Sequence, residues 1–565
     1  MHLKIKGLVL LVITSASSFS QGIINPFHYE MQKTITCSKG AVVSAHRLAS
    51  QVGVQILKEG GNAIDAAIAT QFALAVVYPG AGNIGGGGFM VAHLKNGKNI
   101  TLDYREKAPT AASRDMYLDK KGNPEMSKSQ DGHLSSGVPG TVAGIFDCLQ
   151  YAKLPLKKLI QPAINLAAGG FAITANQASS FNSTKKDFIR LNTKLPAFVK
   201  ESEWKAGDTL IQKDLAETLI RIRDNGLKGF YEGVTADLII DEMKRGKGII
   251  TYEDLKNYKA INRQPDRFPY KGYEVVTMPL PSSGGIILDQ MMKMIEKRNI
   301  GQYKFNSSSS IQLMVEAERR AFADRAQFLG DPDFVKVPTK KLVSEAYIEQ
   351  RMSDYKPGIA GNSATTLAGN IHESEETTHF NVIDNEGNAL SVTTTLNNSY
   401  GSKTVVGGAG FLLNDEMDDF SVKPGVPNLY GAVGNEANAI APGKRMLSSM
   451  TPTIVLKNNK PYLVVGTPGG TTIPTSVYQT IVDIIDFHLT PQQAINAPKF
   501  HHQWLPDVID VEKDFPLNVV EELVKMGYSV KKRGSIGRTE LIQVTPQHKF
   551  IVVADNRGDD SSAGY

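Results

Sequence analysis

The stretch ESEETTHFNVID, from Glu373 to Asp384, constrains this chain more than any other. Before it, YKPGIAGNSATTLAGNIHESEE spans Tyr355 to Glu376, polar, Gly-rich and without periodicity, which reads as a surface loop or linker. Three acids stand among its last four residues, and a strand pattern follows at once from Thr377. THFNVID and ALSVTTTL flank NEGN as one hairpin, and PTIVLK and PYLVVG flank NNK as a second. GTPGG then leads into TTIPTSVYQTIVDIIDFH, with Ile473, Val477, Ile481, Ile484 and Ile485 on one helical face. TPQQAI predicts a further helix, with Thr490 as its cap, Pro491 in the first turn and Gln493 in the capping-box position.

Toward the N-terminus, residues 40–100 predict strand, helix, a Gly60–Gly61 stop, helix, Gly-rich turn and strand. AIDAAIATQFALAVV (Ala63 to Val77) predicts a buried helix packed through small side chains. GAGNIGGGGFMVAHL lacks a GKS or GKT ending and a βαβ setting, so its glycines predict close backbone packing near a site, not a phosphate loop. Residues 150–350 predict mostly helix; SIQLMVEAERRAFADRAQFLG has apolar helical spacing and a charged face. Hairpins plus helices, without internal repeats, predict a layered α+β fold with antiparallel sheet.

With 565 residues, 41% hydrophobic and 21% charged, the chain supports a large core and exceeds one simple domain. Its net charge of +5, without a basic run, argues against nucleic acid as a partner. Residues 1–20 read as an export signal: Lys4 and Lys6, the apolar GLVLLVI, then small residues with cleavage after Ser20. That apolar run is too short to span a bilayer, and no Cys follows to carry a lipid. Cys37 and Cys148 have no spacing that requires pairing.

A threonine hydroxyl in mid-chain is a poor nucleophile because it needs a base. An α-amino group on the same residue, with a pKa of about 7.7–8.0, supplies one. It exists only if the preceding peptide bond has been cut. Attack of the Thr377 hydroxyl on the Glu376 carbonyl would form an ester that water then hydrolyses. Thr at a strand start also follows from β propensity alone, so this local reading leaves both roles open.

The wider pattern bears on the choice. ETTHFNVID, VTTTLNNSYGS, LLNDEMDDFS, NAIAPGKRMLSSMTPTIV, VVGTPGG and NAPKFHHQWLP occur in this order, after ASQVGVQILKEGGNAIDAAIAT, NIGGGGFMV, LDYREKAPTAASRDMYLD, SGVPGTVAG and MPLPSSGG. With them the chain resembles the gamma-glutamyltransferase (glutathione hydrolase) family from about residue 35 to its end. The resemblance implies an N-terminal nucleophile hydrolase fold, a four-layer αββα sandwich with two stacked antiparallel sheets. It implies self-cleavage between Glu376 and Thr377, giving a large subunit of about 21–376 and a small subunit of 377–565 that stay together. Thr377 would take a γ-glutamyl group from glutathione or a related donor and pass it to water, an amino acid or a peptide.

Residue by residue, the resemblance assigns Arg105, Ser448 and Ser449 to the donor α-carboxylate, and Asn397, Glu416 and Asp419 to its α-ammonium. Gly469 and Gly470 match the oxyanion hole and Thr395 the threonine that hydrogen-bonds the nucleophile. Tyr430 matches a gate within the lid-like loop PGVPNLYGAVGN. Thr378, His379, His501 and His502 are expected to be structural; no metal and no organic cofactor is expected, and the export signal together with the resemblance points to a periplasm, with secretion from the cell as the alternative. The rival readings are a glutaryl-amide acylase, a poly-γ-glutamate depolymerase, and an unprocessed, non-catalytic binding protein.

Overall fold

The computed structural model describes residues 24–366, 377–423 and 435–565. The signal segment, Glu376, Tyr430 and nearly all of the lid-like loop lie outside the described residues. Two seven-stranded antiparallel sheets form the centre of the described fold. One runs Ser561–Gly564, Gly40–Ser44, Thr377–Asp384, Ala389–Thr395, Gly87–His93, Asn99–Asp103 and Ile261–Arg263. The other runs Thr34–Cys37, Phe550–Val553, Glu540–Val544, Lys460–Gly466, Thr453–Lys457, Tyr273–Thr277 and Asp266–Tyr270.

Three apolar layers make this an αββα sandwich, as expected. Val43, Phe89, Val91, Ile454, Val464 and Ile542 fill the space between the sheets. Outside the first sheet, Phe380, Val382 and Val392 pack on the helices Arg47–Lys58 and Ala63–Val77. Outside the second, Val455, Leu463 and Val465 pack on the helices Gly284–Glu296, Ser308–Phe328 and Thr472–Ile485. Every residue of Ala63–Val77 is buried, and a capping box between Asn62 and Asp65 opens it. Thr490 and Gln493 form the expected capping box.

Two predictions need correcting. The stretch 150–350 is mostly helical as expected, and it also contributes Ile261–Arg263, Asp266–Tyr270 and Tyr273–Thr277 to the sheets. The charged face of Ser308–Phe328 is inside, because Glu316, Glu318, Arg319, Arg320, Asp324 and Arg325 are all buried among partners. The helix Thr472–Ile485 is buried all round, not on one face.

The register of the Thr377 hairpin sets the site. Thr377 lies directly opposite Thr395, and the pairing continues to Ile383 opposite Ala389. The neighbouring strand Gly40–Ser44 reaches only from Phe380 to Asp384, so Thr377–His379 extend past it. Alternation along the strand puts Thr377 on the face of Ile383, toward the layer between the sheets.

Candidate active site

Arg105, Thr377, Thr395, Asn397, Glu416, Asp419, Ser448, Ser449 and Gly470 line one pocket, together with Met450 and Ile473. They come from distant parts of the chain, and the two sheets bring them to one edge. The free space is about 20 Å³, room for roughly one water.

Arg105 follows the strand Asn99–Asp103 and is 1% exposed. Its Nη1 donates to Glu416 and its Nη2 to Asp419 and, at 3.3 Å, to the Leu447 carbonyl. Nε reaches the Met446 carbonyl at 3.4 Å. Burial alone would lower its pKa, but Glu416, Asp419 and Glu106 hold the guanidinium firmly protonated. Glu416 and Asp419 bracket a single helical turn, which points both carboxylates at the same cation. Burial pushes Glu416 well above the usual carboxylate range, against the pull of Arg105, and its Oε2 has no hydrogen-bond partner.

Asn397 takes a left-handed backbone (φ 77°), which Asn tolerates, and its side chain donates to the Asp415 carbonyl at 3.1 Å. Its own N–H donates to Thr395 Oγ1 at 2.8 Å, tying this residue to the one that lies opposite Thr377. A Cβ on Gly86 would collide with the Thr395 carbonyl, so the Gly-rich stretch packs against the site as expected. Gly470 (φ 56°) lines the pocket, whereas Gly469 (φ 136°) lines a separate groove behind it. Both stand just ahead of Thr472–Ile485, whose N-terminal end favours developing negative charge.

Ser448 and Ser449 are fixed from below. The Ser448 carbonyl accepts from the Ser283 amide and hydroxyl, each at 2.7 Å. Ser449 Oγ accepts from Arg325 Nη2 at 3.0 Å, which leaves the serine proton for another acceptor. Arg325 also donates to Ser283 Oγ at 2.8 Å. Sequence reading missed Arg325 and Glu106. Glu106 is fully buried 3.7 Å from Arg105, burial raises its pKa, and neither of its oxygens finds a hydrogen-bond partner. Its signal was its place beside Arg105 in DYREKAP.

The three histidine candidates are held by hydrogen bonds, whereas the buried Thr378 hydroxyl has no hydrogen-bond partner. His379 bonds Thr393 and Asn381 at 2.9 Å each, and burial lowers its pKa to about 3. His501 bonds Thr475 and Gln503, while His502 bonds Asp507 at 3.2 Å. Cys37 and Cys148 are unpaired thiols.

The gamma-glutamyltranspeptidase family model matches residues 49–565. A glutathione hydrolase proenzyme of Escherichia coli (strain K12) is 45% identical over 99% of each chain. The gamma-glutamyltranspeptidase of Helicobacter pylori is 43% identical with a TM-score of 0.57, over 62% of this chain and 97% of that one. The fold of a cephalosporin acylase from Bacillus halodurans matches with a TM-score of 0.82 at 25% identity, over 96% of this chain and 99% of that one. This chain belongs to the gamma-glutamyltranspeptidase family.

Proposed function

We propose that the chain is the proenzyme of a glutathione hydrolase and γ-glutamyltransferase, exported by residues 1–20 and self-cleaved between Glu376 and Thr377. Residues 21–376 and 377–565 then remain together as two subunits. The Thr377 α-amine takes the hydroxyl proton, and Oγ attacks the γ-carbonyl of the donor. Gly469 and Gly470 stabilise the oxyanion; one such backbone donor is worth roughly 3 kcal/mol of barrier. The departing amine leaves with the proton and a γ-glutamyl ester remains. Water or an acceptor amine then removes it.

The observation that supports this reading is the charge pattern around Thr377. A guanidinium and two serine hydroxyls suit an α-carboxylate. Two acids and an asparagine suit an α-ammonium. A glutaryl group has the first need and lacks the second. Because the free space is so small, the donor head group must part Arg105 from Glu416 and Asp419 and take its place between them.

N-terminal sequencing of the smaller fragment tests cleavage, with Thr-Thr-His-Phe expected. Comparing γ-glutamyl-p-nitroanilide with glutaryl-p-nitroanilide tests the head group. Preference for the glutaryl compound would overturn the substrate assignment.

A further inference from the structure

The helix Thr472–Ile485 is buried all round, yet one stripe at its surface is polar. Thr471, Thr475 and Gln479 stand four residues apart, which stacks them on one face. The segment Phe500–Gln503, within the FHHQWLP motif, runs along that face in the opposite direction and meets each of them. Gln479 Nε2 donates to the Phe500 carbonyl at 2.7 Å, and the Phe500 amide donates back to Gln479 Oε1 at 3.3 Å. One turn nearer the N-terminal end, Thr475 Oγ1 lies 2.9 Å from His501 Nδ1. At that end, Thr471 Oγ1 donates to Gln503 Oε1 at 2.7 Å. His501 Nε2 lies 2.8 Å from the same Gln503 oxygen.

An amide oxygen can only accept, so Nε2 carries the His501 proton and Nδ1 accepts from Thr475. Burial lowers the His501 pKa to about 4 and keeps the ring in that neutral form. Apolar burial has no direction, whereas hydrogen bonds do, so this ladder fixes how far the helix sits along its axis and how it is turned. The motif is itself braced. The His502 amide donates to Glu318 Oε2 at 2.9 Å, and Trp504 Nε1 donates to the Ser363 and Thr366 carbonyls at 3.0 and 2.7 Å. Trp504 holds a left-handed backbone (φ 72°), which a bulky residue keeps only where its surroundings compel it.

The ladder ends at the turn before the helix. Thr471 follows Gly470 directly, and Gly470 lines the Thr377 pocket. The Gly469 carbonyl accepts from the Thr472 amide at 3.0 Å and from Thr472 Oγ1 at 2.7 Å. The Gly469–Gly470 peptide is trans and planar, so its N–H points away from those partners. The direction of that N–H therefore follows the first turn of the helix, and the first turn is held at Thr471. We infer that Gln503 is a positioning residue for the reaction: through Thr471, and supported by His501, it holds the Gly470 N–H where the oxyanion develops. The inference rests on the function proposed above, in which that N–H stabilises the oxyanion.

The test separates transition-state from ground-state binding in the mature two-chain enzyme. Gln503→Met removes the acceptor and keeps the length. Its kcat/KM for γ-glutamyl-p-nitroanilide should fall about tenfold, part of the roughly hundredfold or more that loss of a whole oxyanion donor costs. Affinity for a tetrahedral boronate analogue of the γ-glutamyl group should fall by the same factor. Inhibition by L-glutamate, which has the head group without the tetrahedral centre, should stay unchanged. Thr471→Val should reproduce the loss, and Thr471→Ser should restore most of the activity. The double variant Thr471→Val/Gln503→Met should be no worse than either single one, because both cut the same link. If Gln503→Met does not mature, Thr471→Val carries the test. Unchanged kcat/KM would overturn the inference, as would boronate and glutamate affinities that fall together, or losses that add in the double variant. A wild-type enzyme that releases no p-nitroaniline would instead sink the underlying function, which distinguishes the two failures.

Discussion

Two buried ion clusters in this molecule look alike in composition and differ in completeness. On the helix Ser308–Phe328, Arg319 and Arg320 both pair with Glu316, which also accepts from the Gly361 amide at 2.9 Å and Tyr528 at 2.6 Å. Burial alone would raise the Glu316 pKa, yet the two arginines bring it below its ordinary value. At the Thr377 pocket, a single guanidinium faces Glu106, Glu416 and Asp419. There the glutamates are driven up, and three of their oxygens have no partner. An isolated buried charge costs far more than a paired one. In the first cluster the carboxylate is fully paired, although Arg319 Nη2 has no hydrogen-bond partner; the second holds more acidic groups than its one guanidinium balances, and there the proposed donor's α-ammonium would bind.

The largest effect tests what the open cluster serves. Thr377→Ala leaves both clusters intact but removes the proposed nucleophile, so the precursor should stay uncut on a denaturing gel. Donor turnover should drop by more than about a thousandfold. A variant that still yields two fragments would detach the pocket from the cleavage chemistry.

The next pair separates affinity from stability. Arg105→Gln should mature and lose about a hundredfold in kcat/KM for γ-glutamyl donors, equivalent to roughly 3 kcal/mol. Arg319→Ala instead should lower stability by about 3 kcal/mol, because it removes one of the two buried cations that hold Glu316 ionised and leaves a cavity in their place. Equal losses of melting temperature in the two variants would erase the distinction between the clusters.

Glu416→Gln sharpens it. Replacing a carboxyl that a bound α-ammonium would draw into its charged form should raise KM for an α-amino donor about tenfold. It should leave the melting temperature level or slightly raised. Glu316→Gln, at the closed joint, should lower it. A Glu416→Gln enzyme that loses stability would mean that this acid is a structural partner of Arg105 and little more.

These two clusters also mark what the sequence made legible. The open one lay in words such as DYREKAP and LLNDEMDDFS, and the hairpin beginning at Thr377 could be read from period-two alternation. The closed one could not be read. AERRAFADR looks like a solvated helical face, and only its packing beneath the second sheet turns it inward. The strands Asp266–Tyr270 and Tyr273–Thr277 were hidden for a related reason. Asp266–Tyr270 is a partly exposed edge strand that carries Pro269, and Tyr273–Thr277, paired on both sides, is buried continuously over its last three residues, so neither shows clean alternation. Gly469 and Gly470 were assigned together by the resemblance, and the sequence did not show that Gly470 lines the Thr377 pocket while Gly469 lines a neighbouring groove.

The smallest expected effect is a difference of sign with pH. Unfolded Glu106 ionises near 4.5, but burial keeps it protonated to higher pH in the fold. Above pH 4.5 the native state therefore holds more protons than the unfolded chain, and this group removes stability as pH rises, by at most about 1.4 kcal/mol per unit. Glu106→Gln abolishes that penalty, so its melting temperature should gain on wild type by about 1–3 °C between pH 5 and pH 7. Glu316 has the opposite linkage. Its lowered pKa contributes stability above pH 4.5 that is lost on acidification, so the deficit of Glu316→Gln should shrink as pH falls below that value. Thermal melts of the two variants across pH 3.5–7 should give gaps that move in opposite directions. Gaps of the same sign and slope would mean that both clusters are electrostatically closed and that the pocket lacks no cation.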